Sequence, residues 1–600
     1  MVSFVPRNIK RQRSVNDGVT IRDFTGGWNV SDNELNMSSK FFRVLRNMQL
    51  GSDGSITIRR GSRLFADAAT YIDRILNMHY FNGAIYVFGA NGVVVRVSST
   101  GHVTPVWSSD FAKSLPGAPS GWDSGLQIVT SAIFNGALIA VNGVNKPIIV
   151  SSTHTSSYLN DPATGSNANT PVCKYVVTHN QYLVMAGDPD AESTLHISNI
   201  RTSGVWLGDT APNDAVDVDL GSRVPDGSSA IRGLGRFRDR LIVMFDQAAL
   251  PGTLGVYDAS SNHTPTFDDA ISNVGCISHR TIQDAGELML FASHASVNSI
   301  ERALFTGAIR SGAVSQLIDP ELVKEIKKVS TVEGLLHGAF AVYDRTNSSY
   351  MLFIPDHEDY TTSTKTRGFV FTYDKELKRS DWYEIEHNKW TCGCVSALDT
   401  LFLAQDAQVY SIGDEDYADR IGYEETYDDW TAHTDSRGWN PVGDIDHSGV
   451  PIRFAWELPW SDSGKRMLVK SSKYLALDTN GTARFTVQTF IDNQYDNPSD
   501  TGEAFLDSTL FADNYGWERI DPLLSPALSM AFLGGDRGGF GNDPAGNAYG
   551  SGRPSATERL YAWRAKYRLH KLRIDGDSVD PFGVVSVSLV SGVGSIRRNA

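Results

Sequence analysis

The sequence predicts a mainly β protein: a β-propeller with an additional β-rich, sandwich-like C-terminal region. Three observations carry this. Short runs of β-branched and aromatic residues bounded by Gly, Asn, Asp and Pro recur along most of the chain. One hairpin form repeats at blade-sized intervals, and helical periodicity is scarce.

The repeating form is an apolar approach, a turn rich in Asn, Asp or Gly, then four or five apolar residues. It reads YFNGAIYVFG at Tyr80 to Gly89, IFNGALIAVNG at Ile133 to Gly143, THNQYLVMAG at Thr178 to Gly187 and RFRDRLIVMF at Arg236 to Phe245. It returns at Gln283 to Ser293, Tyr343 to Pro355 and Ser396 to Gly413, which makes seven units. Asn82–Gly83 and Asn135–Gly136 are the dipeptide that best tolerates positive φ at both central positions of a tight hairpin. Spacings of roughly 45 to 60 residues are close to those of four-stranded propeller blades. A pair of β-sandwiches also carries many short alternating strands, and spacing alone does not separate the two architectures.

One helix is expected, Asp319 to Ser330. Asp319 is suited to capping, Pro320 to the first helical position, and Leu322, Val323, Ile326 and Val329 to one apolar face. It reads as a clip between blades. The acidic, aromatic stretch Asp414 to Trp430 is too polar for core strands and reads as a solvated loop or insertion. From Val450 onward, Val450 to Trp460, Met467 to Asp478, Ala483 to Asp492, Arg559 to Gly576 and Pro581 to Gly592 read as a second β layer. The glycine-rich run Phe532 to Pro554 reads as a loop. The expected division is residues 1–65 as an N-terminal arm with opening strands, 66–413 as the propeller, 414–449 as the acidic insertion, and 450–600 as the C-terminal β-rich domain with its loop at 532–554.

Bulk properties narrow the function. At 600 residues the chain is long enough for two or more cores. No apolar run approaches the roughly 18 residues that cross a bilayer, so no membrane span is expected. The basic N-terminus lacks a following apolar region of the signal-peptide kind, which predicts maturation in a cytosol-like compartment. With 54 Lys plus Arg against 69 Asp plus Glu, the net charge is −15, opposite to the footprint of a protein that grips nucleic acid. Four cysteines are too few for a disulfide framework at this length.

No catalytic or ligand-binding constellation emerges; no cofactor, metal or enzymatic activity is expected. His387, Cys392 and Cys394 lack the second ligand pair a zinc site wants, and read as ordinary groups on a strand. Asp444, Asp446 and Ser448 resemble the start of a calcium loop, but Ala455 stands where a bidentate Glu belongs. Asp356, Glu358, Glu384 and Glu386 offer acid pairs of the glycosidase kind, which 69 acids also supply by chance. Trp28, Trp382, Trp390, Trp456 and Trp460 read as strand-packing aromatics rather than a sugar-stacking platform. Arg7, Lys10, Arg11 and Arg13 read either as a solvated arm or as contacts to a phosphate backbone or an acidic neighbour.

Several segments carry a family resemblance. DFTGGWNVSD and FFRVLRNMQLGSDGSITIRRGSRLF open the series, followed by Gly275 to Ala303, Leu317 to Pro355, Gly368 to Glu386 and Ile452 to Asp492. In this order they resemble the tail nozzle, or tail tubular B-type, proteins of short-tailed bacteriophages. The resemblance implies a non-enzymatic structural protein of the virion tail, assembled in the host cytoplasm. It implies a ring of six copies bound to a tail adaptor and flanked by fibres or spikes, with a lumen through which double-stranded DNA is ejected. A negative wall suits such a conduit, because it does not trap phosphate by counterion release. Arg22, Trp28, Arg59 and Arg60 are the expected assembly contacts, with the four arginines Arg13, Arg22, Arg59 and Arg60 meeting acidic surface on a partner. The rival readings are a propeller-type receptor-binding or glycan-degrading tail protein, and a propeller adaptor for peptides.

Overall fold

The computed structural model describes residues 16–593 except 52, 108–127, 161–164, 167, 207–213, 225–229, 254–265, 269, 273, 303–308, 331–337, 356–365, 375–378, 389, 414–415, 421–449, 462–469, 482, 493–500, 514–515, 520–555, 561–565, 568 and 579–580. The chain divides into two compact units: residues 60–425, and residues 1–59 together with 426–600. The β-rich propeller unit is thus inserted in sequence between the two parts of the other.

Residues 60–425 form a seven-bladed β-propeller among the described residues. Blade one is Ile75–Phe81, Ala84–Gly89, Val94–Val97 and Val103–Trp107. Blade two is Thr130–Phe134, Ala137–Val141, Ile148–Val150 and Ser156–Tyr158; blade three is Tyr175–His179, Tyr182–Asp188, Ala191–Ile197 and Val216–Asp219. Blade four runs Gly233–Phe237, Arg240–Met244 and Ala248–Thr253, with Thr266–Phe267 and Ile271–Ser272 both on its outer edge. Blade five is Gln283–Asp284, Met289–Ala292, Val297–Arg302 and Ile309–Ala313; blade six is Phe340–Asp344, Ser349–Pro355, Thr366–Asp374 and Arg379–Asn388. Blade seven takes Trp390–Val395, Leu401–Gln405 and Gln408–Ile412 from the end of the unit, and its outer strand, Arg63–Asp67, from the beginning. The first strand of each blade lies beside the first strand of the next, and that of blade seven lies beside that of blade one. This closure removes the pair of sandwiches as an account of residues 60–425.

The repeated sequence form now has a physical reason. The second strand of each blade packs on both faces against neighbouring blades, so it reads as a continuous apolar run rather than an alternation. Ala84–Gly89 is buried throughout, as are Leu241–Met244. The core lies between blades: Met78, Val87 and Val95 meet Cys394, Phe402 and Val409 at the seven–one seam, and Tyr86, Phe88 and Trp107 meet Leu138 and Ile148 at the one–two seam. Asn82 and Gly83 hold φ of 48° and 78°, and Asn135 and Gly136 hold 48° and 72°, the geometry the Asn-Gly dipeptide is suited to. The same asparagines also latch blades together. Asn82 Nδ2 donates to the Ser152 carbonyl of blade two at 2.8 Å, and Asn135 Nδ2 to the Arg201 carbonyl after the third strand of blade three at 2.5 Å.

The helix forms at Asp319–Ser330, between blades five and six in sequence, with Ser315 Oγ donating to Asp319 Oδ1 at 2.5 Å. Arg367 of blade six fastens it, reaching Glu325 at 2.8 Å and Glu321 at 3.1 Å from the helix and Glu384 at 2.6 Å from its own blade.

The other unit contains two antiparallel sheets. In one, Lys470–Gly481 lies between Ala556–Leu560 and Phe582–Val593, and the last of these also pairs with Asn16–Ile21 and Ile56–Ile58. In the other, Val450–Glu457 pairs with Val44–Arg46 and with His570–Ser578, followed by Ala483–Asp492, Thr501–Asp513 and Gly516–Arg519. Phe454 stacks on Phe582 at 5.2 Å, joining the two sheets. The opening strands therefore pair within their own chain: Asn16 lies opposite Gly592, and Ile56 opposite Val584. Of the expected acidic insertion, Asp416 and Ala418 are buried rather than solvated, with Ala418–Asp419 a short strand and the Gly61 and Ser62 N–H groups donating to the Asp416 and Ala418 carbonyls, because backbone pairing draws this stretch into the fold despite its acidic side chains. Residues 414–415 and 421–449 and the glycine-rich loop at 532–554 lie outside the described residues.

Candidate functional site at the propeller axis and the arginine-rich opening

The innermost strand of a blade pairs on one side only, so its other edge presents unpaired carbonyls that need donors. Side chains from adjacent blades supply them. Thr130 Oγ1 donates to the Lys174 carbonyl at 2.8 Å, Thr178 Oγ1 to Ile133 at 2.8 Å, and Gln283 Nε2 to Ala341 at 2.9 Å. Arg280 reaches farther. From the turn that leads into blade five it passes blade six, lying over the Phe340 ring at 5.2 Å, and donates to the Thr391 carbonyl of blade seven at 2.6 Å. Tyr175 of blade three stands 5.2 Å from the His279 ring beside Arg280. The inner strands are thus laced to one another around the ring by side-chain hydrogen bonds.

Its imidazoles are neutral at physiological pH. Burial pushes His79 and His279 down to about 4, with Arg280 adding to the effect at His279. Neutrality also suits their bonds: His279 Nδ1 accepts from the Leu234 N–H at 3.1 Å, and His79 Nδ1 lies 2.9 Å from Ser131 Oγ.

Of the expected assembly contacts, Arg22 is exposed on the surface. Trp28 is buried, with Nε1 donating to the Arg43 carbonyl at 3.0 Å. Arg59 is buried, with Nε donating to Asn47 Oδ1 at 2.9 Å, and Asn47 Nδ2 in turn donates to the Arg453 carbonyl at 2.6 Å. Arg60 pairs with the buried carboxylate of Asp344. Within one chain these three side chains are internal ties, Arg59 in the C-terminal unit and Arg60 in the propeller. Side-chain burial of this kind depends on distant partners, which the local RRG pattern does not encode.

The remaining candidates fall as follows. Glu384 is buried and spent on Arg367, while the Glu386 side chain and residues 356 and 358 lie outside the described residues. All four cysteines are free and buried, and burial raises their thiols, Cys276 and Cys392 to about 12. The His387 side chain and the Asp444–Gly449 stretch lie outside the described residues, among which no His, Cys, Asp and Glu group could hold a metal. Trp382 donates to the Val314 carbonyl at 3.1 Å, Trp390 packs on Tyr410 at 5.6 Å and Trp456 on Phe42 at 5.9 Å, all three buried. Trp460 lies under Lys571 Nζ at 5.2 Å. No helix among the described residues is long and apolar enough to cross a membrane.

The chain is a β-propeller protein with a second, β-rich unit. No protein-family model matches it, and no curated protein matches it. Solved structures similar to it include the WD40 β-propeller domain of Doa1, at 9% identity over 59% of this chain and 98% of that one, TM-score 0.34. Others are the Neurospora crassa Pan2 WD40 domain, at 7% over 57% and 90%, TM-score 0.30, and PorZ of Porphyromonas gingivalis, at 11% over 76% and 46%, TM-score 0.33. Likenesses this weak assign no family, and the propeller rests on the strand pairing described above.

Proposed function

We propose that this chain is a structural, non-enzymatic subunit of a short-tailed phage tail nozzle, present in the virion as a ring of copies that forms a conduit for genome ejection. The reading is carried by the order of the resembling segments, from Asp23–Asp32 through Gly275–Ala303 to Ile452–Asp492. The architecture supports a passive role. The inner strands around the propeller axis are tied to one another by Thr130, Thr178, Gln283 and Arg280, a fixed arrangement that suits a scaffold. The net charge of −15 suits a wall that phosphate slides past. The tail adaptor and fibres or spikes are its other partners.

Mass measurement of the purified chain with negative-stain imaging tests this, alone and with the tail adaptor. A six-fold ring with an open centre is expected. A lone subunit at micromolar concentration under both conditions, or turnover of a host surface polysaccharide, overturns it in favour of a receptor-binding or glycan-degrading propeller.

A further inference from the structure

The seam between blades one and two carries a row of polar side chains that packing does not explain. Strand register sets His79, Tyr86, Arg96 and Thr104 side by side across blade one, Tyr86 opposite both His79 and Arg96, and Arg96 opposite Thr104. The inner end is satisfied by blade two, through Ser131 at His79. At the middle, the buried Tyr86 hydroxyl stands 2.5 Å from His154 Nδ1. A phenol donating to Nδ1 leaves the imidazole proton on Nε2.

Arg96 is the unsatisfied member. Its Nε is buried with no acceptor, and its guanidinium makes no hydrogen bond or ion pair among the described residues. Its charge is felt by both Tyr86 and His154, and among the described residues no carboxylate perturbs Tyr86, His154 or Tyr158. The His154 turn adds hydroxyls instead: Ser151 Oγ lies 2.8 Å from Thr153 Oγ1 and 2.7 Å from Thr155 Oγ1. A half-buried guanidinium without a counter-charge is costly, and among the described residues no carboxylate partners Arg96, although the chain has 15 more acids than bases.

We propose that Arg96 and His154 form an inter-blade binding site for a tetrahedral oxyanion of the phosphate class. Arg96 supplies the guanidinium fork, and Tyr86 orients His154 so that its Nε2–H is the second donor. The groups that face His154 are Tyr86 and Arg96 from blade one, together with the hydroxyls of its own turn. A bound anion offsets the repulsion between Arg96 and a protonated His154, whose Nδ1–H then donates to the Tyr86 hydroxyl as that hydroxyl turns to accept, so binding takes up a proton and tightens as pH falls through the imidazole range. This site goes beyond the tail reading and does not depend on it.

Inorganic phosphate is titrated into the full chain at constant ionic strength, against a matched sodium chloride control, with binding heat and thermal midpoint as readouts. Saturable stabilisation is expected, and Arg96→Gln, which keeps the side-chain stem, weakens it by about tenfold or more while Arg96→Lys retains part. Sulfate, whose charge is constant across the range, binds more tightly at about pH 6 than at about pH 8, and His154→Asn flattens that difference. No saturable effect in the wild type, or equal affinity in a folded Arg96→Gln variant, overturns the site. If Arg96→Gln does not fold, unchanged sulfate affinity and pH dependence in His154→Asn overturns it.

Discussion

Arg60 and Asp344 form a buried ion pair that ties the segment leading into the closing strand to the end of the first strand of blade six. The Asp344 carboxylate also accepts from the Thr346 N–H at 3.0 Å and Asn347 Nδ2 at 2.8 Å, so it organises the blade-six hairpin as well. Removing one partner strands the other charge. Arg60→Met is expected to cost about 3–5 kcal/mol by urea unfolding, and Arg60→Met combined with Asp344→Asn, which removes the charge but keeps an acceptor for the Thr346 N–H, to recover part. Equal stability of wild type and Arg60→Met would contradict the pair's role.

Gly61 follows at once and is fixed by space. A Cβ there would come within 2.0 Å of the Ala418 carbonyl oxygen, and the Gly61 N–H donates to Asp416 at 2.6 Å. Gly61→Ala must push backbone against backbone at the point where the ring closes. A loss of about 1–3 kcal/mol or more is expected, read as a lower denaturation midpoint with an unchanged slope.

Arg280 links the turn before blade five to blades six and seven. Arg280→Ala deletes the bond to Thr391 and the contact over Phe340, with an expected cost of about 1–3 kcal/mol, and Arg280→Lys recovers little because an ammonium lacks the planar fork. Chemical denaturation of the three forms checks the order wild type, Lys, Ala.

His279 gives a pH signature. Its folded pKa is depressed to about 4, so below about pH 6.5 the unfolded chain takes up a proton that the folded chain refuses until about pH 4. Stability therefore falls with pH across that window, by about 1.4 kcal/mol per pH unit for this group. His279→Leu is expected to be less stable near neutrality, since the Leu234 N–H loses its acceptor, yet to show a shallower loss between pH 6.5 and 4. Parallel urea titrations along the pH range measure both effects.

Arg22 separates folding from the proposed assembly. Because Arg59 and Arg60 are internal, reversing them disrupts the fold before it reports on any neighbour. Arg22 is exposed, so Arg22→Glu is expected to leave stability within about 0.5 kcal/mol while weakening ring formation. Rings of wild-type yield from the variant would remove Arg22 from the contact.

The sequence by itself determined the local geometry of the repeating units, while the blade count was settled by the strand pairing. The Asn-Gly hairpins at 82–83 and 135–136, the seven apolar second strands and the Asp319–Ser330 helix all follow from dihedral preferences and from burial on both faces of a strand, which act over a few residues. Only the tertiary structure decided what meets across long separations. Blade seven takes its outer strand from Arg63–Asp67, Asn16–Ile21 joins Phe582–Val593, Arg60 finds Asp344, and Arg96 is left beside His154. Such pairings are set by ring closure and by which charges burial forces together, and neither leaves a mark in the short-range pattern of residues.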